Sequence, residues 1–328
     1  MRYIRNNSTD VYFNMAFDEY ALEQLPLDEP LFYLWQNRSA VIIGINQNIY
    51  TEVDLDYARE HDIAVARRIT GGGAVYHDLG NLNYTIVGRS ADMERDYPEY
   101  ARHMLKALQA LGLQAELSGR NDILVDGRKV SGYAKRVYKD RLMVHGTLMY
   151  DVDIDRLTRV LTPPTEKLES KGIASVKSRV LNLRGHLPQF ADIGALTEAL
   201  ERHLSRQYQD AEYHLTAAQL AEVRTIADTK FATPEWLYGR SPSNVVVCTR
   251  HLPCGNVTVH MDIKHGLIAQ CSIMGDFLGN VPIADIESLL QGCLYERTAL
   301  EQRLACITIQ DYLDHTDTTT FVNLLLHC

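Results

Sequence analysis

Apolar residues recur along this chain at two periods, and the period changes from segment to segment. Phe13, Phe17, Tyr20, Ala21 and Leu25 fall at helical spacing, which predicts an amphipathic helix over 11–25. Tyr100, Met104, Leu105, Leu108 and Leu111 form a second stripe and predict a helix over 98–111. Pro98 suits its first turn and Gly112 the position just past its end. Shorter apolar runs predict strands at 31–35 and 40–45, paired across the polar stretch 36–39. Further strands are expected at 63–68 and 75–87, the latter broken at Leu79-Gly80-Asn81. Segments 123–125 and 128–134 flank Asp126-Gly127, a residue pair suited to the type I′ hairpin turn. Another strand, 142–150, follows the turn at Lys139-Asp140, and helices are expected at 191–208 and 215–230. Helices alternating with antiparallel hairpins make an α+β fold, one mostly antiparallel sheet with helices packed against it.

A linker signal stands at Tyr238-Gly239-Arg240-Ser241-Pro242-Ser243-Asn244, and beyond it the pattern restarts with short alternating strands. The chain therefore divides into a large domain, 1–244, and a small α+β domain, 245–328, near the lower size limit for an independent core. Residues 162–184 carry two prolines and several Lys and Arg among Ser and Ala, the pattern of a long surface loop.

Two stretches offer chemistry. From Arg67 to Tyr84, two arginines lead into Gly71, Gly72 and Gly73 and then an alternating apolar run. Glycines free to take positive φ can turn consecutive amides towards an anion, and Arg67 or Arg68 would add charge. The same residues also make a plain glycine-rich hairpin with two solvated arginines. A P-loop is excluded, because no Gly-Lys-Ser/Thr opens a helix here. In the second stretch strict alternation puts Lys129, Ser131 and Tyr133 on one face, with Val130, Gly132 and Ala134 on the other. Gly132 invites close approach by a ligand, although a lone strand lysine is more often solvated.

Composition narrows the class. Of 328 residues 46% are hydrophobic, ample for a core, and no long apolar run or apolar leader is present, so a cytoplasmic protein without a membrane segment is expected. The net charge of −9 argues against nucleic acid as a partner. Basic residues nevertheless gather at 67–68, 128–129 and 135–141, which fits an anionic ligand. All six cysteines lie at or beyond Cys248, without a Cys-x-x-Cys pair, and reduced thiols are expected.

The glycine stretch, with Ser118-Gly119-Arg120-Asn121-Asp122 and Arg128-Lys129-Val130-Ser131-Gly132, resembles the lipoate–protein ligases, relatives of the biotin ligases, over nearly the whole chain. That resemblance implies ATP-dependent activation of lipoate as lipoyl-adenylate and transfer to a lysine of a lipoyl-domain protein. It implies that Lys129 is the catalytic lysine, holding both the lipoate carboxylate and the ATP phosphate. Arg68, Gly73, Ala74, Val75, Tyr76, Asp122, Lys171 and Ser178 would line the nucleotide, with Asp122 near its Mg²⁺. Thr70, Gly71, Gly72, His77, Arg136 and His145 would line lipoate. The segment 167–179 looks like the family's adenylate-covering loop. Acceptors would be acyltransferase subunits of 2-oxoacid dehydrogenases or the glycine-cleavage H protein. A monomer satisfies the sequence, which does not set the oligomeric state. Where Thr70 stands the family commonly has Ser, and Tyr133 replaces a smaller residue, which bears on acyl preference.

Two other functions compete. An octanoyl or lipoyl transferase of the same superfamily would need a cysteine nucleophile in the catalytic domain, and none precedes Cys248. A non-catalytic lipoyl-domain binder should have lost its charged residues, yet Lys129, Arg68 and Asp122 are present.

Overall fold

The structure, a computed structural model, describes residues 1–119, 121–161, 178–205, 212–238, 246–264, 267–295 and 297–326. Three sheets organise them. The largest has seven strands, in the order β1 (Arg2–Tyr3), β2 (Leu31–Trp35), β6 (Asn81–Arg89), β10 (Arg141–Met149), β9 (Arg128–Tyr138), β8 (Asp122–Val125) and β7 (Ala115–Ser118). Only its β1–β2 pairing is parallel. A second sheet has β3 (Ala40–Ile43) between β4 (Ala64–Arg67), parallel to it, and β5 (Val75–His77), antiparallel.

This corrects two expectations. The segments 31–35 and 40–45 do not pair; they belong to different sheets. The glycine stretch does not close a hairpin either, because β3 separates the strands on its two sides, so the loop arches across the end of β3. Gly44 follows β3 directly, and a Cβ there would run into the carbonyl oxygen of Gly72. Gly72 itself has φ +92°, a conformation that side chains resist.

Alternation along β2 explains how the large sheet is covered. Phe32 and Leu34 face a core closed by the helices Met93–Ala110 and Ile193–Leu204. Leu31, Tyr33 and Trp35 face the other way, against α1 (Val11–Glu23) and the second sheet. Helix α1 is capped by Asp10, whose side chain accepts from the amides of Tyr12 and Phe13. It is not the amphipathic helix expected: Asn14 and Asp18 are buried along with its apolar residues. The second predicted helix starts earlier than Pro98, which lies inside Met93–Ala110. The Asp126-Gly127 turn has φ of 52° and 69°, as a type I′ turn requires.

A third, antiparallel sheet, β11 (Val246–Leu252), β12 (Gly255–Lys264) and β13 (Leu267–Gly275), forms a separate core with helices from 284 onward. Cys248 is disulfide-bonded there, so the expectation of reduced thiols fails at that position, while Cys254, Cys271, Cys293 and Cys306 are free. Most of the expected linker, 239–244, and the segment 162–177 with Lys171 lie outside the described residues. No helix among the described residues is long and apolar enough to cross a membrane.

Candidate active site

Between the two large-domain sheets lies a cavity of about 140 Å³. Its lining includes Met15 of α1, Trp35, Ile42, Val75 and His77 on one side and Asn121, Lys129, Gly132 and Tyr133 on the other. Arg68, Gly72, Gly73, Ala74 and His145 also reach it.

Lys129 arrives there through a fault in the strand. Ile123 pairs with Ser131 but Leu124 with Lys129, so Val130 is an extra residue in β9, a bulge. Beyond it the alternation is reset, and Lys129 shares a face with Gly132 rather than with Ser131. This overturns the face assignment read from strict alternation. Lys129 Nζ would stand 2.8 Å from a Cβ on Gly132, so the bare glycine lets the lysine lie across the strand. There it meets Asp122 Oδ1 at 2.7 Å. Both partners are partly exposed, which makes the pair weak and exchangeable against another anion.

The two arginines are spent differently from expectation. Arg67 is fully buried and donates to the carbonyls of Gly44, Ile45, Gln47 and Leu237, so it holds backbone. Arg68 donates to the carbonyls of Ile42, Gly71 and Gly73 and to Thr70 Oγ1, clamping the glycine loop from within. Burial, and then Arg67, lower the Arg68 pKa to about 10, which still leaves the guanidinium charged at neutral pH. The Gly72 amide, expected to face an anion, donates to Phe277 O.

Behind the cavity runs a buried polar chain. Thr70 Oγ1 meets His145 Nε2 at 2.7 Å, and His145 Nδ1 donates to Asp18 Oδ2 at 2.6 Å. Asp18 Oδ1 accepts from Tyr33 Oη at 2.5 Å and Thr85 Oγ1 at 2.9 Å. Thr85 Oγ1 in turn accepts from Trp35 Nε1 at 3.0 Å. Burial and the Asp18 carboxylate hold the Tyr33 phenol well above its ordinary pKa. Asp18 was not found by sequence reasoning. The available signal was the i, i+4 pair Asn14 and Asp18 lying among apolar helix residues.

Of the residues expected at the site, Lys129, Arg68, Gly72, Gly73, Ala74, Val75, His77 and His145 line this one cavity. Asp122 pairs with Lys129 beside it. Thr70 is buried between Arg68 and His145. Three do not join them. Tyr76 turns away from the cavity, its hydroxyl 3.0 Å from Ser39 Oγ, because β5 presents its neighbours Val75 and His77 instead. Gly71 and Arg136 line a different cleft, with Lys135, Phe277 and Tyr312, on the side of the C-terminal unit. Arg136 donates to Ile69 O there. Ser178 enters just before Val180, which bridges Lys129 in parallel, and Leu181 N donates to Lys129 O. The chain leaving the undescribed segment is thus laid against the lysine strand.

His77 is 3% exposed, and burial, then Arg68 and His145, lower its pKa from 6.5 to about 3. Between pH 6.5 and 3 the unfolded chain takes a proton at His77 that the folded chain refuses, so stability is complete above 6.5 and lost as pH falls. Going from pH 7 to pH 5 should cost about 2 kcal/mol through this residue. Urea titrations at both pH values should show a smaller difference for His77→Phe than for the unaltered protein; equal differences would remove His77 as the cause.

Residues 10–205 match the family model "Lipoyl protein ligase A/B catalytic domain", and 241–325 match "Bacterial lipoate protein ligase C-terminus". The chain is 37% identical to lipoate–protein ligase LplJ of Bacillus subtilis over 99% of its own length and 100% of that protein. Its fold is similar to that of P. falciparum LipL1, solved in complex with lipoate (TM-score 0.82, 24% identity, 100% and 99% of the two chains). A crystal structure of lipoate–protein ligase A bound with ATP matches with a TM-score of 0.62 and 30% identity, over 73% of this chain and 98% of that one.

Proposed function

This chain belongs to the lipoate–protein ligase family, and from that premise we propose how its residues carry the reaction. The protein is an ATP-dependent ligase that activates lipoate and transfers the lipoyl group to proteins. In the first half-reaction a lipoate carboxylate oxygen attacks the α-phosphorus of ATP, forming lipoyl-adenylate and releasing pyrophosphate. In the second, the amine of an acceptor lysine attacks the acyl carbon, an amide bond forms, and AMP leaves.

The observation that carries the assignment is the Lys129–Asp122 pair lying across Gly132 at a cavity with Trp35, Met15, Ile42 and Val75 in its wall. An apolar wall suits a saturated acyl chain, and a weakly paired lysine suits its carboxylate. As that carboxylate and the α-phosphate approach, Lys129 exchanges Asp122 for oxygens that gain charge in the transition state. Arg68 keeps the glycine loop in shape and adds fixed positive charge. His145, oriented by Asp18, sits beside the reacting end, together with Thr70. No thiol takes part: every cysteine lies at or beyond Cys248, which supports direct transfer from the adenylate.

Mg²⁺ enters with the triphosphate in this reading. A protein carboxylate would help to hold it there. Asp122 fits as such a carboxylate, and no group of three or more His, Cys, Asp and Glu that could hold a metal by itself occurs among the described residues. When bound, the ion offsets charge on the phosphates. We place residues 1–244 in the catalytic domain and 245–328 in an accessory domain. The acceptors are lipoyl domains of 2-oxoacid dehydrogenase acyltransferase subunits or the glycine-cleavage H protein, the protein working in the cytoplasm. Incubation with MgATP, lipoate and a purified lipoyl domain should add one lipoyl group to the acceptor, read by intact mass. An unchanged acceptor mass, with pyrophosphate absent, would defeat this reading.

A further inference from the structure

The apolar wall of the cavity contains one polar side chain with an unused hydrogen-bonding atom. His77 lies edge-on to Trp35, with ring centroids 6.1 Å apart, on the strand whose Val75 pairs with Ile42. Its Nε2 is buried and has no hydrogen-bond partner among the described residues.

The chemical character of that atom can be worked out from α1 inward. Asn14 Nδ2 lies 3.1 Å from Ser8 O and 2.9 Å from Gln36 O, both pure acceptors, so this amide atom is the donor. Its shortest contact is to Asn37 Oδ1, at 2.8 Å, so three oxygens share its two hydrogens. Asn37 therefore turns its own Nδ2 to His77 Nδ1, 3.0 Å away, and Nδ1 accepts. The ring proton is left on Nε2. Asn14 and Asn37 are both buried, so the relay holds one tautomer. The result is a buried, unpaired N–H donor on a ring that lines the cavity beside Trp35 and Val75.

We propose that His77 Nε2–H is a specificity contact of the acyl site, donating to a sulfur of the lipoyl dithiolane ring, with Asn37 as its positioning residue. This rests on the reading of the cavity as the lipoyl site. Divalent sulfur is a weak acceptor small enough for an apolar wall, and it satisfies the donor. An alkanoate of the same carbon count leaves that donor buried and unpaired, and a site with such a group rejects analogues that lack its partner. The preference for lipoate over octanoate should be roughly tenfold in kcat/KM, the size expected of one modest hydrogen bond.

The test compares lipoate with octanoate in the full-length protein, following pyrophosphate release and acceptor mass, for the unaltered chain, His77→Phe and Asn37→Asp. Asn37→Asp puts an acceptor on both sides of position 37, which moves the ring proton to Nδ1 and leaves a lone pair at Nε2. Both variants should bring the two acids to near parity, whatever their absolute rates. ¹⁵N spectra of the ring at alkaline pH should show the proton on Nε2 in the unaltered chain and on Nδ1 in Asn37→Asp. Octanoate used as well as lipoate by the unaltered chain overturns the proposal. So does a ratio unchanged in His77→Phe, or unchanged in Asn37→Asp after the tautomer has moved. Failure of the unaltered chain with both acids would instead bring down the ligase reading together with this one.

Discussion

Lys129→Ala should abolish ligation and leave the fold intact. Removing one preorganised charged donor costs about 3 kcal/mol, two orders of magnitude in rate. Lys129 should exceed that, because the same Nζ serves the carboxylate of lipoate and the phosphate it attacks. The folding cost should stay below ~1 kcal/mol, since the Lys129–Asp122 pair is partly exposed and Gly132 beneath it contributes no side chain. Lys129→Arg should rescue poorly: a planar fork lying over Gly132 cannot place one point charge between two oxygens. Pyrophosphate release, acceptor mass and circular dichroism would be followed together. Near-normal pyrophosphate release by folded Lys129→Ala would reduce the residue to surface and remove the site assignment.

The largest stability effect is expected at Asp18. Its carboxylate accepts from Tyr33, Thr85 and His145, and the residue is 1% exposed. Asp18→Ala leaves three donors without their acceptor inside the protein. Breaking a buried network of this kind costs about 3–5 kcal/mol, visible as a large fall in the urea midpoint. Asp18→Asn keeps the volume but offers one acceptor oxygen where two stood, so it should fall between Asp18→Ala and the unaltered chain. Ligation should weaken in both, since His145 loses the partner that orients its ring. Midpoints of both variants within experimental error of the unaltered protein would show that the chain of hydrogen bonds is not holding α1 to the large sheet.

How much of this was legible in the sequence depended on whether the cause was local. The hairpin about Asp126-Gly127 was, because two residues set its turn. The glycine loop was recognisable as chemistry, but not its course: a strand from residues 40–43 separates its two arms, and pairing across such distances leaves no mark in either arm. The bulge at Val130 escaped because an extra residue is invisible to an alternation count, although Gly132 close by was a hint of it. Arg136 was placed by motif and found on the other side of the loop, since motif spacing says nothing about which wall a side chain joins. Asp18 was hidden by the assumption that one face of α1 would be wet, when sheet and helices cover nearly all of it.

The seam between the two units has a consequence for dividing the molecule. The glycine loop leans on a carbonyl from the C-terminal unit: Phe277 O accepts from Gly72, and a Cβ at Gly71 would strike that same oxygen. Lys135 and Asp314 tie the units a second time, 3.4 Å apart. In one chain this wall is always at hand, because tethering fixes its local concentration whatever the protein's own. Expressed as two polypeptides cut between 238 and 246, the halves would have to find each other by diffusion. The loop's shape would then depend on dilution, and a site that is a property of the molecule would become a property of the mixture.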